Sequence, residues 1–403
     1  MIKQRMSKSN SKSKNPATGL RYQFAGSGMV RNPNNGINSE GLGFDINEPI
    51  DERIFEDNCP GYEPLPTVVP PVKRIIAIGD IHGDLDLALK CLRLGNLIDE
   101  NHDWIGGQTV VVQVGDQIDR CRPNRQIDPD GTPEEPTKLF KCHEPETTKP
   151  DEASDITIME LFTKLHKQAV AVGGAVYSLL GNHELMNARG DLNYVSHAGI
   201  RQFDGYVDED TGKVYPRGEL GRYHAFQPGK KYAKFMGCTR QSAIIIGSCL
   251  FVHAGMVSEY VNKFNIEGPE QLAAINYQVR KWLLGHVTIE NIKPIISSES
   301  YSPFWTRIFG KLPPNVDATD ERCIRYLGKI FELYHVERMV VGHTPQFFSN
   351  DEGINKTCGD KIWRVDVGGS GAFSPFKNTD LHNHHTRAQV LEIIDDSIFN
   401  VLG

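Results

Sequence analysis

The sequence predicts a layered α/β domain built on mixed β-sheets, with helices packed outside them. In the first half of the chain, short apolar runs alternate with longer amphipathic runs. Near the end of the chain, apolar runs follow one another directly. Alternation is typical of parallel strands joined by helices, and consecutive strands are typical of antiparallel pairing. With 403 residues, the chain is long enough for one large domain or two ordinary ones.

The strand predictions rest on short apolar runs, many of them rich in Val and Ile. They are Arg74–Ile78, Thr109–Val114, Ala175–Leu180, Ala243–Ile246, Cys249–Val252, Met339–Val341, Ile362–Val367, Ala388–Ile394 and Ile398–Val401. The helix predictions are Leu85–Leu97, Ile156–Val170, Glu270–Leu284 and Glu321–Tyr334. In the second of these, Ile158, Phe162 and Leu165 recur at helical spacing and form one apolar face.

Two polar stretches depart from this pattern. The first 39 residues contain seven Lys or Arg and no acidic residue, and residues 40–70 are acidic and rich in Pro. We therefore expect residues 1–70 to be a basic, largely flexible arm and linker, and residues 71–403 to be the folded domain. Residues 122–154 lack apolar periodicity and are predicted to be an insertion, either surface decoration or a lid.

Composition narrows the class of protein. The net charge of −7 argues against a nucleic-acid-binding surface. No apolar run approaches the roughly 20 residues that a membrane span needs, and no secretory signal is recognisable. We expect a soluble cytoplasmic protein with neither a nucleic-acid nor a membrane partner. Targeting to an organelle by the basic arm stays open, because the arm resembles a transit peptide without its amphipathic face.

The eight cysteines are too dilute to predict a disulfide framework. Cys91, Cys249 and Cys323 lie in apolar periodic runs, and we expect them to be buried as small hydrophobic residues. Cys121 and Cys142 flank polar residues of the insertion, and the sequence leaves open whether they pair.

Five of the predicted strands end in a glycine-flanked turn that carries Asp, Asn or His. The turns are GDIHGD at 79–84, GDQIDR at 115–120, GNHE at 181–184, HAG at 253–255 and GHT at 342–344. The carboxyl ends of strands form the ligand crevice of open α/β sheets, so we expect these turns to converge. Chance readily produces one such turn, but packing alone does not explain five.

The residue types in these turns predict metal binding. Oxygen and imidazole donors without a thiolate favour Mn, Fe, Zn or Mg over softer metals. We assign one ion to Asp80, His82 and Asp116, and a second ion to Asp116, Asn182, His253 and His343. Two ions bridged by one carboxylate, about 3.5–4 Å apart, can activate a water and clamp the oxygens of a displacement at phosphorus.

In this order, the five turns resemble the signature of the PPP-type metallophosphoesterases, the calcineurin-like superfamily that contains serine/threonine phosphatases. The stretches LGNHELMNARGDLNY at 180–194, VVGHTPQ at 340–346 and RVDVGGS at 364–370 are most similar to the Shewanella-like protein phosphatases. The resemblance covers residues 73–395 and excludes the arm and the insertion. It implies a mixed β-sandwich flanked by helices, and two divalent ions (Mn, Fe or Zn) held by the residues assigned above.

The resemblance also implies roles in phosphoester hydrolysis. His183 would protonate the leaving-group oxygen as general acid, with Asp119 orienting its ring. Arg120 would bind phosphate, and Asn182 would add an amide donor. Arg307 is our candidate for a second phosphate-binding arginine, its alternative being a surface salt bridge. A guanidinium fork suits two phosphoryl oxygens at once.

One position departs from the family motif, because Cys121 stands where GD-x-x-DRG has glycine. The departure puts in doubt how Arg120 is presented to the site. The metal ligands, Asp119 and His183 are all present, which argues against an inactive relative.

The expected activity is hydrolysis of phospho-Ser/Thr, with phospho-Tyr left open, in a protein or peptide substrate by direct attack of a metal-bridging hydroxide. A nucleotide or dinucleoside polyphosphate phosphoesterase is the alternative within the same superfamily. A binding scaffold that recruits partners through the arm and the insertion is an alternative of another class. Regulatory partners cannot be inferred from the sequence.

Overall fold

Two six-stranded sheets form the framework of the computed structural model, which describes residues 45–123, 141–349, 353–376 and 388–403. These residues belong to one unit that spans residues 39–403. The strands are β1 Val68–Val69, β2 Arg74–Ile78, β3 Val110–Gln113, β4 Ala175–Leu179, β5 Tyr206–Val207, β6 Val214–Tyr215, β7 Arg240–Gln241, β8 Ala243–Ile246, β9 Cys249–Val252, β10 Arg338–Val341, β11 Asn355–Thr357, β12 Ile362–Arg364, β13 Val390–Ile394 and β14 Ile398–Leu402.

The helices lie mainly in the long connections between these strands. They are α1 Glu52–Asn58, α2 Leu85–Leu94, α3 Asp155–Val170, α4 Asn182–Ala188, α5 His197–Arg201, α6 Gly218–Phe226, α7 Lys231–Thr239, α8 Ser258–Lys263, α9 Pro269–Leu283, α10 Ile289–Ile296, α11 Glu321–Tyr334 and α12 Gln346–Ser349, with a short 3-10 helix at Gly371–Phe376.

The strand order places five strand ends where a site can form. One sheet has the order β14-β13-β2-β3-β4-β7, in which β2, β3, β4 and β7 are parallel to one another. In the same sheet, β13 is antiparallel to both of its neighbours, β14 and β2. The other sheet has the order β1-β8-β9-β10-β12-β11, in which β9, β10 and β12 are parallel. Within each sheet, the parallel strands therefore present their carboxyl ends at the same edge.

Alternation along each strand divides the core into layers. Ile75 and Val112 of one sheet share a buried cluster with Phe251 and Val340 of the other, so the two sheets pack face to face. Ile76 points to the opposite face and packs with residues of α2 and α3. The outer face of the other sheet packs with residues of α8 to α11. The predicted mixed sandwich flanked by helices is confirmed.

Residues 45–70, which the sequence assigns to the linker, pack against the domain. Phe55 of α1 is buried, β1 pairs in parallel with β8, and Cys59 forms a disulfide with Cys238 of α7. Most of the predicted arm, residues 1–44, lies outside the described residues, as do residues 124–140 of the predicted insertion. Among the described residues, no helix combines the length and apolar character needed to cross a membrane.

The expectation that the cysteines form no disulfide framework was wrong, and the pairing of Cys121 with Cys142, which the sequence left open, is present. Disulfides join Cys59 to Cys238, Cys121 to Cys142, and Cys323 to Cys358. Cys323 is buried as expected, but it is bonded rather than free. The partners lie 179, 21 and 35 residues apart in sequence, so pairing depends on tertiary structure that composition does not report. Cys91 and Cys249 are free and buried, as expected.

Candidate metal and phosphate site

The five polar turns meet at the carboxyl ends of β2, β3, β4, β9 and β10. The backbone N–H groups of Ile81 and His82 both donate to the carbonyl of Asp116 at 2.9 Å, which joins the first turn to the second. The N–H of Gly342 donates to the carbonyl of His253 at 2.7 Å, which joins the last two turns. The convergence expected from the strand order is therefore present.

Two glycines in these turns are required by close approach. Gly115 has φ +104°, and a Cβ there would lie 2.6 Å from the backbone nitrogen of Gly181. A Cβ on Gly342 would lie 2.2 Å from Oδ1 of Asp80. Any side chain at either position would push the turns apart, so the glycines allow the polar residues to share one small volume.

Several non-glycine residues of the turns have left-handed backbone conformations. The φ values are 47° at His82, 54° at Asp116, 74° at Asp119 and 66° at His343. Such conformations cost about 1–3 kcal/mol each and concentrate at functional sites, where surrounding structure holds them. Glu184 contributes to that support, because its buried carboxylate accepts hydrogen bonds from the backbone N–H groups of Asp116, Gln117 and Gly181.

Asp116 lies at the centre of the donor atoms. Its Oδ2 is 3.3 Å from Nε2 of His253, 3.8 Å from Nε2 of His82 and 3.9 Å from Nε2 of His183. Two groups of buried donors could each hold a metal ion, one formed by His82, Asp116 and His183, the other by Asp116, His253 and His343. Asp116 belongs to both groups, as the sequence assignment of a bridging carboxylate expects.

The remaining assigned ligands border these groups. Oδ2 of Asp80 lies 3.8 Å from Nε2 of His82, and the Asp80 carboxylate also accepts from the backbone N–H of His343 at 3.0 Å. Oδ1 of Asn182 lies 3.0 Å from Nε2 of His253. All six residues assigned from the sequence as metal ligands are thus brought together and buried.

The orientation of the imidazoles also fits metal ligation. Nδ1 of His253 donates to the carbonyl of Val114 at 2.9 Å, and Nε2 of His343 donates to the carbonyl of Trp305 at 3.1 Å. A carbonyl can only accept, so each bond fixes the tautomer and leaves the other ring nitrogen with a lone pair. This is the arrangement that metal-binding histidines use.

The charges of the site favour a cation. Burial, together with Asp366 and Asp116, raises the pKa of Asp80 well above its ordinary value. Burial also raises the pKa of Asp366 to about 6, and Oδ2 of Asp366 has no hydrogen-bond partner among the described residues. Crowded carboxylates beside imidazole lone pairs match the donors that Mn, Fe and Zn accept. The residues present therefore fit divalent metal ions.

His183 and Asp119 form a buried pair beside the metal ligands. Nδ1 of His183 lies 2.8 Å from Oδ2 of Asp119. Asn187 also donates to the Asp119 carboxylate, at 2.9 Å, and Arg222 lies 3.4 Å from it. Arg222 is fully buried and forms an ion pair with Asp155 at 2.7 Å. Asp119 is therefore held in place from several directions.

These supporting residues were not predicted, for different reasons. Asn187 follows His183 by one helical turn of α4, and that spacing could have indicated that the two side chains lie near each other. Arg222 lies on α6, and nothing in the sequence links that segment to Asp119.

A cavity of about 410 Å³ opens onto the metal ligands. Of the predicted site residues, it is lined by His82, Asp116, Asn182, His183, Arg307 and His343. Its other walls are Arg122, Met186, Tyr194, Trp305, Pro345 and Phe373. Three of these six wall residues, Tyr194, Trp305 and Phe373, are aromatic. The site thus combines a polar floor with a partly aromatic wall.

Arg120 does not reach this cavity. Its Nη1 forms an ion pair with Glu152 at 2.8 Å and donates to the carbonyl of Gly83 at 2.9 Å. Its Nη1 also lies 3.3 Å from Asp84. The predicted phosphate-binding arginine of the second turn is therefore engaged by carboxylates and a carbonyl outside the cavity.

Arg122 occupies the cavity wall instead. Its guanidinium carbon lies 4.7 Å from the ring centre of Phe373 and 5.7 Å from that of Tyr194. Burial lowers the pKa of Arg122, while Asp116 and Asp119 counteract that effect. Arg307, the other predicted arginine, also lines the cavity, and its Nη1 donates to the carbonyl of His343 at 3.2 Å.

A sandwich of two mixed sheets, with Asp, Asn and His at five converging strand ends, is the architecture of a metal-dependent phosphoesterase. A model of the calcineurin-like phosphoesterase family matches residues 73–347, more than half of the chain. The chain therefore belongs to the calcineurin-like phosphoesterase family.

Individual relatives agree with this assignment. The chain is 39% identical over 256 residues to an uncharacterized protein, R398, of Acanthamoeba polyphaga mimivirus, across 60% of this chain and 98% of that protein. It is 28% identical over 336 residues to Shewanella-like protein phosphatase 2 of Arabidopsis thaliana, across 76% and 74% of the two chains. A solved cold-active protein-tyrosine phosphatase of a psychrophilic Shewanella species has the same fold, with a TM-score of 0.53, 18% identity, and coverage of 88% of this chain and 85% of that one.

Proposed function

We propose that this protein is a protein phosphatase that hydrolyses phosphomonoesters with two divalent metal ions. The position of Asp116 in both groups of metal-ligating residues carries the proposal. One ion would be held by Asp80, His82 and Asp116, and the other by Asp116, Asn182, His253 and His343. When bound, such ions supply Lewis acidity toward the phosphoryl oxygens and a water nucleophile at neutral pH.

The protein's own groups would complete the reaction. Nε2 of His183 is the ring nitrogen not engaged by Asp119, and His183 lines the cavity. It would donate a proton to the leaving-group oxygen as the phosphorus–oxygen bond breaks. Asp119 would hold the ring in that orientation. The amide of Asn182 and the guanidinium of Arg307 would bind phosphoryl oxygens, which fixes the substrate in the cavity.

Phosphoproteins or phosphopeptides are the substrate class we favour. Relatives of this chain are named Shewanella-like protein phosphatases, and a neighbour of the same fold is a protein-tyrosine phosphatase. The aromatic wall formed by Tyr194, Trp305 and Phe373 gives an apolar surface for the part of the substrate that carries the phosphate. We propose residues 71–403 as the catalytic domain, with residues 45–70 docked onto it.

Turnover of phosphoserine, phosphothreonine and phosphotyrosine peptides by Mn²⁺-loaded protein tests the substrate class against dinucleoside polyphosphates. We expect the peptides to have the higher kcat/KM. Faster turnover of dinucleotides would favour the nucleotide phosphoesterase, and an absence of turnover with every substrate would overturn the proposed function.

The cytoplasmic location that we propose from composition has to be weighed against three disulfides, which are rare in a reducing compartment. Alkylation of free thiols in unreduced, denatured protein taken from its own cells distinguishes a reducing from an oxidising compartment. Labelling of all eight cysteines would support the cytoplasm, and labelling of only Cys91 and Cys249 would contradict it.

A further inference from the structure

The two arginines on either side of Cys121 have different surroundings. The guanidinium of Arg120 is used by the protein itself. It forms ion pairs with Glu152 and Asp84, and it donates to the carbonyls of Gly83 and Pro150. Withdrawing it toward a substrate would leave two carboxylates without their counter-charge, which costs free energy because the Arg120 and Asp84 side chains are largely buried.

Arg122 has spare hydrogen-bonding capacity. Its Nη1 donates to the carbonyls of Asp119 and Cys121, at 3.1 and 2.9 Å. In the part of the chain that the structure describes, its Nε and Nη2 have no hydrogen-bond partner, and no carboxylate lies within ion-pairing distance of its guanidinium. Removing part of a guanidinium from water costs free energy unless its N–H donors are satisfied. A bound anion that accepts from Arg122 would offset that cost.

The surroundings of Arg122 fix its position without neutralising it. The rings of Phe373 and Tyr194 flank the guanidinium, and aromatic faces orient a cation while leaving its charge available. The backbone is held directly before it, because Cys121 is bonded to Cys142 and its N–H donates to the carbonyl of Tyr194 at 3.1 Å. A preorganised fork loses less entropy on binding an anion than a free side chain would.

We propose that Arg122, rather than Arg120, is the residue after the second turn that binds the phosphoryl group of the substrate, together with Arg307. The proposal rests on the proposed function for its substrate class, a phosphomonoester dianion. Inorganic phosphate presents the same oxygens, so the assignment can be measured without turnover. Arg120 then has a structural role, tying the second turn to Asp84 and to the segment around Glu152.

Calorimetric titration of inorganic phosphate into Mn²⁺-loaded protein tests the assignment. We expect Arg122→Gln to raise Kd for phosphate roughly 10- to 100-fold, the range for loss of charged hydrogen bonds. Arg122→Lys keeps the charge without the fork and should raise Kd less. Arg120→Gln should change Kd by less than about twofold while lowering the melting temperature. Arg53→Gln, at a side chain that is 80% exposed, is the surface control.

Other results would overturn the assignment. These are an unchanged Kd in Arg122→Gln, a rise of equal size in Arg120→Gln, and a wild-type protein that does not bind phosphate. If Arg120→Gln does not fold, Arg120→Lys takes its place in the comparison. A wild-type protein that binds phosphate through Arg122 but hydrolyses no phosphomonoester would contradict the proposed function and leave the assignment of Arg122 intact.

Discussion

Asp119 shows how one buried carboxylate can orient a neighbouring imidazole. It accepts from His183 and Asn187, and the buried Arg222 lies close to it. Asn187 also donates to the backbone carbonyl of His183, which links the support to the residue that it supports. The contact between Nδ1 and Asp119 orients the imidazole.

Replacing His183 with Ala should lower kcat by about 10²–10⁴-fold, the usual contribution of a general acid or base. The Nε2 of His183 lies among the donor atoms around Asp116. Because we assign His183 to proton transfer and not to metal binding, the metal content of the variant should stay unchanged. Steady-state kinetics and elemental analysis check both parts. His102→Ala, outside the cavity, is the control. Loss of one metal ion would instead identify His183 as a ligand.

At individual positions, the success of the sequence analysis depended on whether a residue's role is local. Asp80 and Asp116 follow apolar strands directly, so strand pattern and turn placed both of them. Arg122 was missed because its orientation depends on a disulfide to Cys142 and on an aromatic pair from distant segments. Arg120 is surrounded by carboxylates and carbonyls, and these surroundings do not support the predicted role of Arg120 in phosphate binding.

Among the secondary-structure elements, regular patterns were easy to predict. Strands Arg74–Ile78 and Cys249–Val252 and helix Glu321–Tyr334 have the bounds expected from their apolar periodicity. Helix α4 was missed because the polar residues Asn182, His183 and Glu184 occupy its first turn, where they serve the site rather than the helix's apolar face. Functional residues there obscure the pattern that would predict the helix.

The disulfide between Cys121 and Cys142 joins the residue that follows the second turn to the interior of the insertion. Replacing both cysteines with Ser should weaken phosphate binding, because the segment that presents Arg122 loses an anchor, and should lower stability by up to about 3 kcal/mol for a loop of this length. Calorimetry and thermal unfolding measure the two effects.

The disulfide between Cys323 and Cys358 offers a matched control, since neither residue lines the cavity and their separation of 35 residues is comparable. Replacing both of these cysteines with Ser should lower the melting temperature and leave the Kd for phosphate unchanged. Equal phosphate affinity in the two double variants would show that the first disulfide does not position Arg122.

On the scale of the whole molecule, the site is shared between the two sheets. The sheet containing β2, β3 and β4 supplies Asp80, His82, Asp116 and Asn182, and the sheet containing β9 and β10 supplies His253 and His343. The Asp80 carboxylate accepts from the backbone of His343, so two of the candidate metal ligands connect the sheets directly. The sequence could predict each turn, but only the packing of the sheets shows that both halves face one cavity.

Elemental analysis of metal per chain, in wild-type protein and in Asp116→Asn, tests whether Asp116 is shared by two metal ions. We expect two divalent ions per wild-type chain, and at most one in Asp116→Asn, with phosphatase activity lost. Asp86→Asn, at an exposed carboxylate paired with Lys90, should retain two ions and full activity. Two ions and wild-type activity in Asp116→Asn, or no bound metal in the wild-type protein, would contradict the account.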